Sequence, residues 1–186
     1  MSKTKFKTKS LVLCALFTAL IIIGAFIKIP TPLVPITFQV TFCMLAGLLL
    51  GSKWGAMSVA VYIALGLMGI PVFTEGGGIG YVLKPTFGYI IGFMVGAFIV
   101  GLIIEKVRKQ SFVIYLIASL TGLMVVYLIG TIYVGLISAY VLNAPIPIWP
   151  LVTSCFFIPL PKDILLCILA SLLCVKLVPI LRKGNA

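Results

Sequence analysis

The sequence predicts an all-α integral membrane protein with six transmembrane helices and both termini in the cytoplasm. Of its 186 residues, 62% are hydrophobic and only 9% are charged, and the mean hydropathy is +1.31. A soluble domain carries roughly 25% charged residues. A shortage of this size means that most of the surface faces lipid, and clusters of Pro, Gly and Lys divide the apolar sequence into membrane segments.

Six apolar segments are predicted, and with their connections they form one transmembrane domain over residues 1–186. They cover residues 10–29, 38–51, 54–71, 86–105, 112–142 and 161–181. The second is short, and the fifth, with 31 residues, is about 46 Å long if it is fully helical, so it must tilt, bend or protrude. The first follows a basic stretch, but it is long enough to span a membrane and no small-residue cleavage site follows it, so we expect it to be retained.

Positive charge is divided unequally between the two sides of the predicted bundle. Ten basic residues fall on the side of the termini: Lys3, Lys5, Lys7, Lys9, Lys53, Lys106, Arg108, Lys109, Arg182 and Lys183. Only three fall on the opposite side: Lys28, Lys84 and Lys162. The positive-inside rule then places both termini in the cytoplasm. Orientation explains the net charge of +11 better than binding to nucleic acid does.

The composition argues against an enzyme. The chain has no histidine and only three acids, so it offers neither a Ser–His or Cys–His base nor an obvious acid pair. It contains no GxxxxGK[ST] pattern, so we expect no ATP hydrolysis by a P-loop in this chain. The five cysteines form no CxxC pair, which leaves zinc sites and disulfide frameworks without support. We therefore expect a binding protein without a cofactor of its own.

One outward connection, "EGGGIGYVLKPTFGY" at 75–89, has a composition unlike the rest of the chain. Its glycines, among them Gly78 and Gly80, permit positive φ and close backbone approach, and Thr86 is placed to cap the next helix. Gly88, Gly92 and Gly96 follow at four-residue spacing and predict a face on which another helix packs. A tight turn followed by this helix-packing face would account for the glycines alone. It would not account for the polar and aromatic residues beside them, namely Glu75, Tyr81, Lys84 and Tyr89, which indicate a ligand site.

Two further polar residues are candidates. Asp163 opens the last helix, where the helix dipole favours a carboxylate, and ionisable groups at membrane depth are candidates for function. The alternative is an acidic first turn beside a snorkelling Lys162. Gln39 lies one turn into the second segment, where its amide could bond a ligand or merely another helix. Ala15 and Ala19 form a small-residue face on the first helix, for which packing within the chain is the default interpretation.

Two motifs resemble a known family. "GGGIGYVLKPTFGYIIGF" at 76–93 resembles the signature GGxGY…PTxGYxxGF of BioY, the biotin-binding S component of energy-coupling factor (ECF) transporters. "FFIPLPKD" at 156–163 resembles the later FxPxD segment of that family. The length, the six spans and the basic N-terminus agree over nearly the whole chain. The resemblance implies the S-component architecture, a place in the cell membrane and capture of biotin from outside, with a transmembrane coupling protein and two ATPase subunits supplying energy from ATP.

The resemblance also implies roles for the candidate residues. Asp163 would accept from the ureido N–H groups of biotin, and Lys84 would pair with the carboxylate or donate to the ureido carbonyl. The remaining candidates would enclose the ligand: Tyr81, Tyr89 and Trp149 as walls, Gln39 as a further hydrogen-bond partner, and the glycine-rich loop from Gly76 to Gly80, which includes Gly78, as a lid. Ala15 and Ala19 would form the surface that docks on the coupling protein.

The sequence departs from the family pattern at two places. The residue before the Pro-Thr pair is usually glycine, whereas here it is Lys84. The later segment usually runs PGDLxK, whereas here it is "PKDILLC", with Lys162 before the acid. We hypothesise that Lys84 replaces the missing lysine. Two alternatives stay open: an S component for another vitamin, such as thiamin or riboflavin, and a self-contained channel or secondary transporter.

Overall fold

The computed structural model describes residues 2–31, 33–107 and 111–183, with side chains described within 8–179. Its helices are α1 (Ser2–Phe26), α2 (Gln39–Leu67), α3 (Phe87–Lys106), α4 (Phe112–Tyr140), α5 (Ile148–Val152) and α6 (Leu160–Lys183). Two-residue strands, β1 (Lys28–Ile29) and β2 (Ile36–Thr37), pair antiparallel between α1 and α2. Within these described ranges, five helical stretches are long and apolar enough to cross a membrane: Thr8–Phe26, Gln39–Leu67, Phe87–Lys106, Phe112–Tyr140 and Ile148–Pro179.

The two predicted segments 38–51 and 54–71 form one helical element with a sharp reversal at Gly51. Gly51 has a φ of +82°, which glycine adopts without strain. A Cβ on Gly55 would lie 2.8 Å from the Cα of Gly47, and Gln39 Nε2 donates to Tyr62 Oη at 2.7 Å. Both contacts require that residues 39–50 and 52–67 run back along each other. The reversal at Gly51 therefore connects the two predicted segments directly.

Glu105, near the end of α3, holds this reversal closed. Its carboxylate accepts from the backbone N–H of Ser52 at 2.7 Å and from the Ser52 hydroxyl at 2.8 and 3.0 Å. The backbone of Ser52 also packs against Gly101, where a side chain would clash. An anionic group at the first N–H of a helix satisfies an orphan donor and complements the helix dipole.

The predicted glycine face of α3 packs against α4. A Cβ on Gly92 or Gly96 would approach Val126 at 3.0 and 2.9 Å, and Gly88 lies under the ring of Tyr133. The absence of side chains allows close approach of the two helices, as small-residue faces generally do in membranes. This packing places the N-terminal half of α3 beside the C-terminal half of α4.

Two segment ends differ from the sequence prediction. α2 ends at Leu67 because Gly69, with a φ of +99°, follows it, and Ile70 N–H bonds the carbonyl of Leu65 at 3.2 Å; these are the features of a Schellman cap. The proline-rich stretch before α6 was predicted as a connection. It instead contains α5 and a π-helix at Thr153–Phe157, a form that often occurs at functional sites.

We expect Glu105→Gln to lower stability without changing the fold. The amide keeps the side-chain size but loses the charge that strengthens the bonds to Ser52, at a cost on the order of 1 kcal/mol. The measurement is thermal unfolding of both proteins in the same detergent. Lys106→Gln, at the exposed next position, is the control, and an equal loss for the two variants would contradict the assigned role.

Candidate functional site

A cavity lies where α2, α3 and α6 begin and α4 passes. It encloses about 600 Å³ when the open space at its mouth is included. Its apolar lining comes from Val34, Pro35, Ile36, Val40, Ile90, Phe93, Val126 and Pro159, and its polar lining from Thr37, Gln39, Thr74, Thr86, Tyr89, Tyr127, Ser154, Cys155, Lys162 and Asp163.

Asp163 is the buried acid of this cavity. The residue is only 4% exposed, because it lies in the first turn of α6 and its side chain faces α4. Oδ2 accepts a hydrogen bond from Tyr127 Oη at 2.6 Å. Oδ1 lies 2.7 Å from Lys162 Nζ, but it has no partner in hydrogen-bond geometry among the described residues. One carboxylate oxygen therefore keeps accepting capacity next to a cavity.

Lys162 is the cation of the same cavity. Besides pairing with Asp163, its ammonium donates to the backbone carbonyl of Thr37 and lies 5.4 Å from the centre of the Phe38 ring. These contacts join the first turn of α6 to the connection between β2 and α2. An ammonium and a carboxylate thus lie side by side, with apolar walls around them.

Gln39 and Tyr89 both line the cavity, and each is hydrogen-bonded to a residue distant in the chain. Gln39 donates to Tyr62, as described above. Tyr89 Oη donates to the carbonyl of Cys155 at 2.7 Å, so the first turn of α3 is bonded to the π-helix. These bonds fix two cavity-lining side chains to the scaffold.

Lys84 and Glu75 do not line the cavity. They form an ion pair with each other at 2.7 Å, with their side chains 41% and 45% exposed. Lys84 is drawn outward because its own loop supplies the acid. The cation beside Asp163 is Lys162, so the structure does not bring Lys84 and Asp163 together.

Three other candidates also lie off the cavity lining. Trp149 is 76% exposed, since α5 turns it away from the helix bundle. Gly78, with a φ of +104°, donates its N–H to the carbonyl of Gly66 at 2.7 Å, so the glycine run packs on the end of α2. Gly80 lies in the 3₁₀ turn Ile79–Leu83 and is exposed. The predicted lid therefore does not line the cavity.

Tyr81 is buried, but behind the wall of the cavity rather than in it. It is 3% exposed and packs against Phe73 with ring centres 4.5 Å apart. In the middle of α1, Ala15 and Ala19 are both exposed, which leaves their small-residue face unused among the described residues.

Two cavity residues that contact Asp163 were not among the predicted site residues. They are Tyr127 and Lys162, and Lys162 was considered only as a snorkelling neighbour of Asp163. The rarity of ionisable groups at membrane depth, which singled out Asp163, applies equally to its neighbour Lys162. Tyr127 lies in an apolar run and carries no local signal. The signal that would have found it is the need of a buried carboxylate for donors from a facing helix.

The fold and cavity define a class of protein: a helical membrane protein with a small-molecule site whose polar contacts include one ammonium–carboxylate pair. Among proteins of that class, the sequence model of the BioY family matches residues 1–183. The chain belongs to the BioY family.

Individual relatives agree with this assignment. The chain is 43% identical over 180 residues to the probable biotin transporter BioY of Lysinibacillus sphaericus, an alignment covering 96% of this chain and 91% of the relative. It is 46% identical over 123 residues to the biotin transporter BioY of Thermotoga maritima, covering 66% and 72%. A crystal structure of the S-component for biotin from an ECF-type ABC transporter matches with a TM-score of 0.83 and 32% identity, covering 95% of this chain and 94% of that one.

Proposed function

We propose that this chain is the biotin-binding membrane subunit, or S component, of an ECF-type ABC transporter and captures biotin from outside the cell. The relatives named as biotin transporters and the matching biotin S-component support this assignment. They favour biotin over thiamin or riboflavin, and an S component over a self-contained channel.

The observation that carries the proposal is the adjacent pair of Asp163 and Lys162. A ureido group presents N–H donors next to a carbonyl acceptor. Oδ1 of Asp163 is ion-paired with Lys162 Nζ at 2.7 Å but makes no hydrogen bond among the described residues; in the proposed site it accepts from an N–H, and Lys162 Nζ donates to the carbonyl. Both are charge-assisted bonds, which are roughly twice as strong as neutral ones.

The apolar lining suits the rest of biotin. Val40, Ile90 and Phe93 from α2 and α3 provide contacts for the thiophane ring and the valeryl chain, with Tyr89 and Gln39 beside them. Tight binding of a ligand with roughly 16 heavy atoms, at nanomolar affinity, needs about −0.8 kcal/mol per atom. Such efficiency requires an enclosed, preorganised site, and the bonds that fix Gln39 and Tyr89 contribute to that order.

The proposed topology has six spans and cytoplasmic termini. The reversal at Gly51 makes residues 39–50 and 52–67 two short antiparallel helices, so α2 supplies two spans. The basic residues gather at the end with the termini, which the positive-inside rule assigns to the cytoplasm. The cavity, at the opposite end, then faces outside the cell membrane.

ATP chemistry belongs to partners in this proposal. The sequence has no P-loop, so two ATPase subunits and a transmembrane coupling protein supply the energy, and this chain needs no cofactor. The exposed Ala15 and Ala19 on α1 provide a smooth face on which a helix of the coupling protein docks within the lipid membrane.

Calorimetry in detergent tests the function directly. We expect the purified chain to bind one biotin tightly and to bind neither thiamin nor riboflavin. Asp163→Asn should weaken biotin binding about 100-fold, since a buried charged acceptor is replaced by an amide of equal size.

Each other result has a definite meaning. Binding of thiamin or riboflavin in place of biotin would show that the protein is an S component for a different vitamin. A well-folded chain that binds none of the three, or that alone mediates biotin uptake into vesicles, would overturn the S-component function. Undiminished binding by Asp163→Asn would move the ureido site away from α6.

A matched pair of lysine variants locates the cation that contacts the ligand. We expect Lys162→Met to lower biotin affinity on the order of 10- to 100-fold because it removes the donor beside Asp163. Lys84→Met removes the same charge from the exposed loop and should change affinity less than about threefold. Titration of both variants with biotin measures this, and the reverse order of effects would restore Lys84 as the ligand's partner.

Bulky substitutions test whether the small-residue face of α1 docks on the coupling protein. Ala15→Trp and Ala19→Trp should abolish co-purification with the coupling protein and leave biotin binding unchanged, because they fill the docking face and neither residue lines the cavity. Leu16→Trp, at an exposed position (51%) about 100° around the helix from Ala15, is the control. Retained assembly in both alanine variants would refute the docking role.

A further inference from the structure

Three hydroxyl groups form a chain at the wall of the cavity. Tyr81 Oη lies 2.9 Å from Thr74 Oγ1 and accepts from Thr86 Oγ1 at 3.1 Å. Thr74 and Thr86 line the cavity, whereas Tyr81 does not. We propose that Tyr81 is a positioning residue that orients these two threonine hydroxyls for the ligand, an inference that rests on biotin being that ligand.

The proposed arrangement of the three hydroxyls gives each threonine a polarity. A phenol has one O–H, and Tyr81 Oη accepts a hydrogen bond from Thr86. In the proposed arrangement the Tyr81 O–H donates to Thr74, a contact whose geometry allows either hydroxyl to be the donor. Thr74 then accepts from Tyr81 and keeps its own proton as a donor to the cavity. Thr86, having given its proton, presents only lone pairs. A ligand therefore meets a donor at Thr74 and an acceptor at Thr86.

The position of Thr86 supports this role. It occupies the cap position before α3, yet it makes no side-chain capping bond, contrary to the sequence prediction. Threonine at a helix start usually satisfies a backbone N–H of the first turn. Here the hydroxyl is bonded to Tyr81 instead, so capping is forgone for a contact that fixes its orientation at the cavity.

The ring of Tyr81 is held independently of its hydroxyl. Its centre is 4.5 Å from that of Phe73 and 6.5 Å from that of Phe87, and Lys84 Nζ lies 5.2 Å from it. Removal of the hydroxyl alone thus leaves the ring packing in place. Tyr81→Phe tests the hydroxyl and little else.

Tyr133→Phe is the matched control. Tyr133 also packs on Phe87, with ring centres 6.3 Å apart, and its hydroxyl donates to the carbonyl of Val82, next to Tyr81, at 2.6 Å. It anchors the same 3₁₀ turn but bonds neither threonine. Each variant therefore removes one hydroxyl that bonds to or from the 3₁₀ turn, but only Tyr81→Phe also removes the bonds to the cavity-lining threonines.

The experiment titrates biotin into the full chain in detergent for Tyr81→Phe, Tyr133→Phe, Thr74→Val, and the double variant Tyr81→Phe/Thr74→Val. We expect Tyr81→Phe and Thr74→Val each to weaken binding about tenfold, and Tyr133→Phe to change it less than about twofold. The Kd of the double variant should be at most about twice the Kd of the weaker-binding single variant, because both substitutions remove the same interaction.

Four results would overturn the inference: wild-type affinity in Tyr81→Phe, equal losses in Tyr81→Phe and Tyr133→Phe, multiplied losses in the double variant, or wild-type affinity in Thr74→Val. Should Tyr81→Phe fail to fold, Thr74→Val and Thr86→Val carry the test, since each is expected to weaken binding about tenfold. A wild-type chain without biotin affinity removes the proposed function itself, a result distinct from a variant that binds as the wild type does.

Discussion

A carboxylate buried in a membrane helix bundle needs compensating charge or hydrogen bonds, and the cavity end of this protein is organised around that need at Asp163. An unpaired buried charge is far more costly than an unpaired neutral group. Tyr127 from α4 and Lys162 from α6 provide compensation, and Lys162 in turn bonds Thr37. The same contacts that stabilise the acid therefore bring three separate elements together around a cavity, and they leave one carboxylate oxygen able to accept from a ligand.

The other two acids illustrate why Asp163 is distinct. Glu105 is occupied by Ser52 at the reversal of α2, where it stabilises a helix start. Glu75 is occupied by the exposed Lys84. All three acids of the chain thus have partners, but only Asp163 combines burial, accepting capacity and a bordering cavity. In the proposed site, a ligand that donates to it adds the hydrogen bond that Oδ1 lacks among the described residues, which would give selectivity toward a ureido-like group.

The sequence predicted features that depend on local composition and periodicity. Apolar length predicted the membrane helices, and the spacing of Gly88, Gly92 and Gly96 predicted the face on which α3 meets α4. Contacts between distant segments had no such signal. The bond between Tyr127 and Asp163 joins residues 36 apart, and the clip of Glu105 on Ser52 joins residues 53 apart. Lys84 and Lys162 looked equivalent as rare cations, and only packing distinguishes the outward pair with Glu75 from the inward pair with Asp163.

Charge compensation also explains how the chain can depart from its family's motif. In the pattern PGDLxK the lysine follows the acid by three residues, which places both on one face of a helix. Here Leu166 stands at that position, and the lysine directly precedes the acid. Lys162 still reaches Asp163 at 2.7 Å, because a long flexible side chain in the first helical turn can fold back over its neighbour. Charge compensation requires an ammonium next to the carboxylate, and the lysine that provides it can occupy a different sequence position. Because Lys162 lies in the first turn of α6 and not one turn further along, its ammonium can also bond the carbonyl of Thr37, so in the proposed site the ligand-binding charge is connected to the backbone that precedes α2.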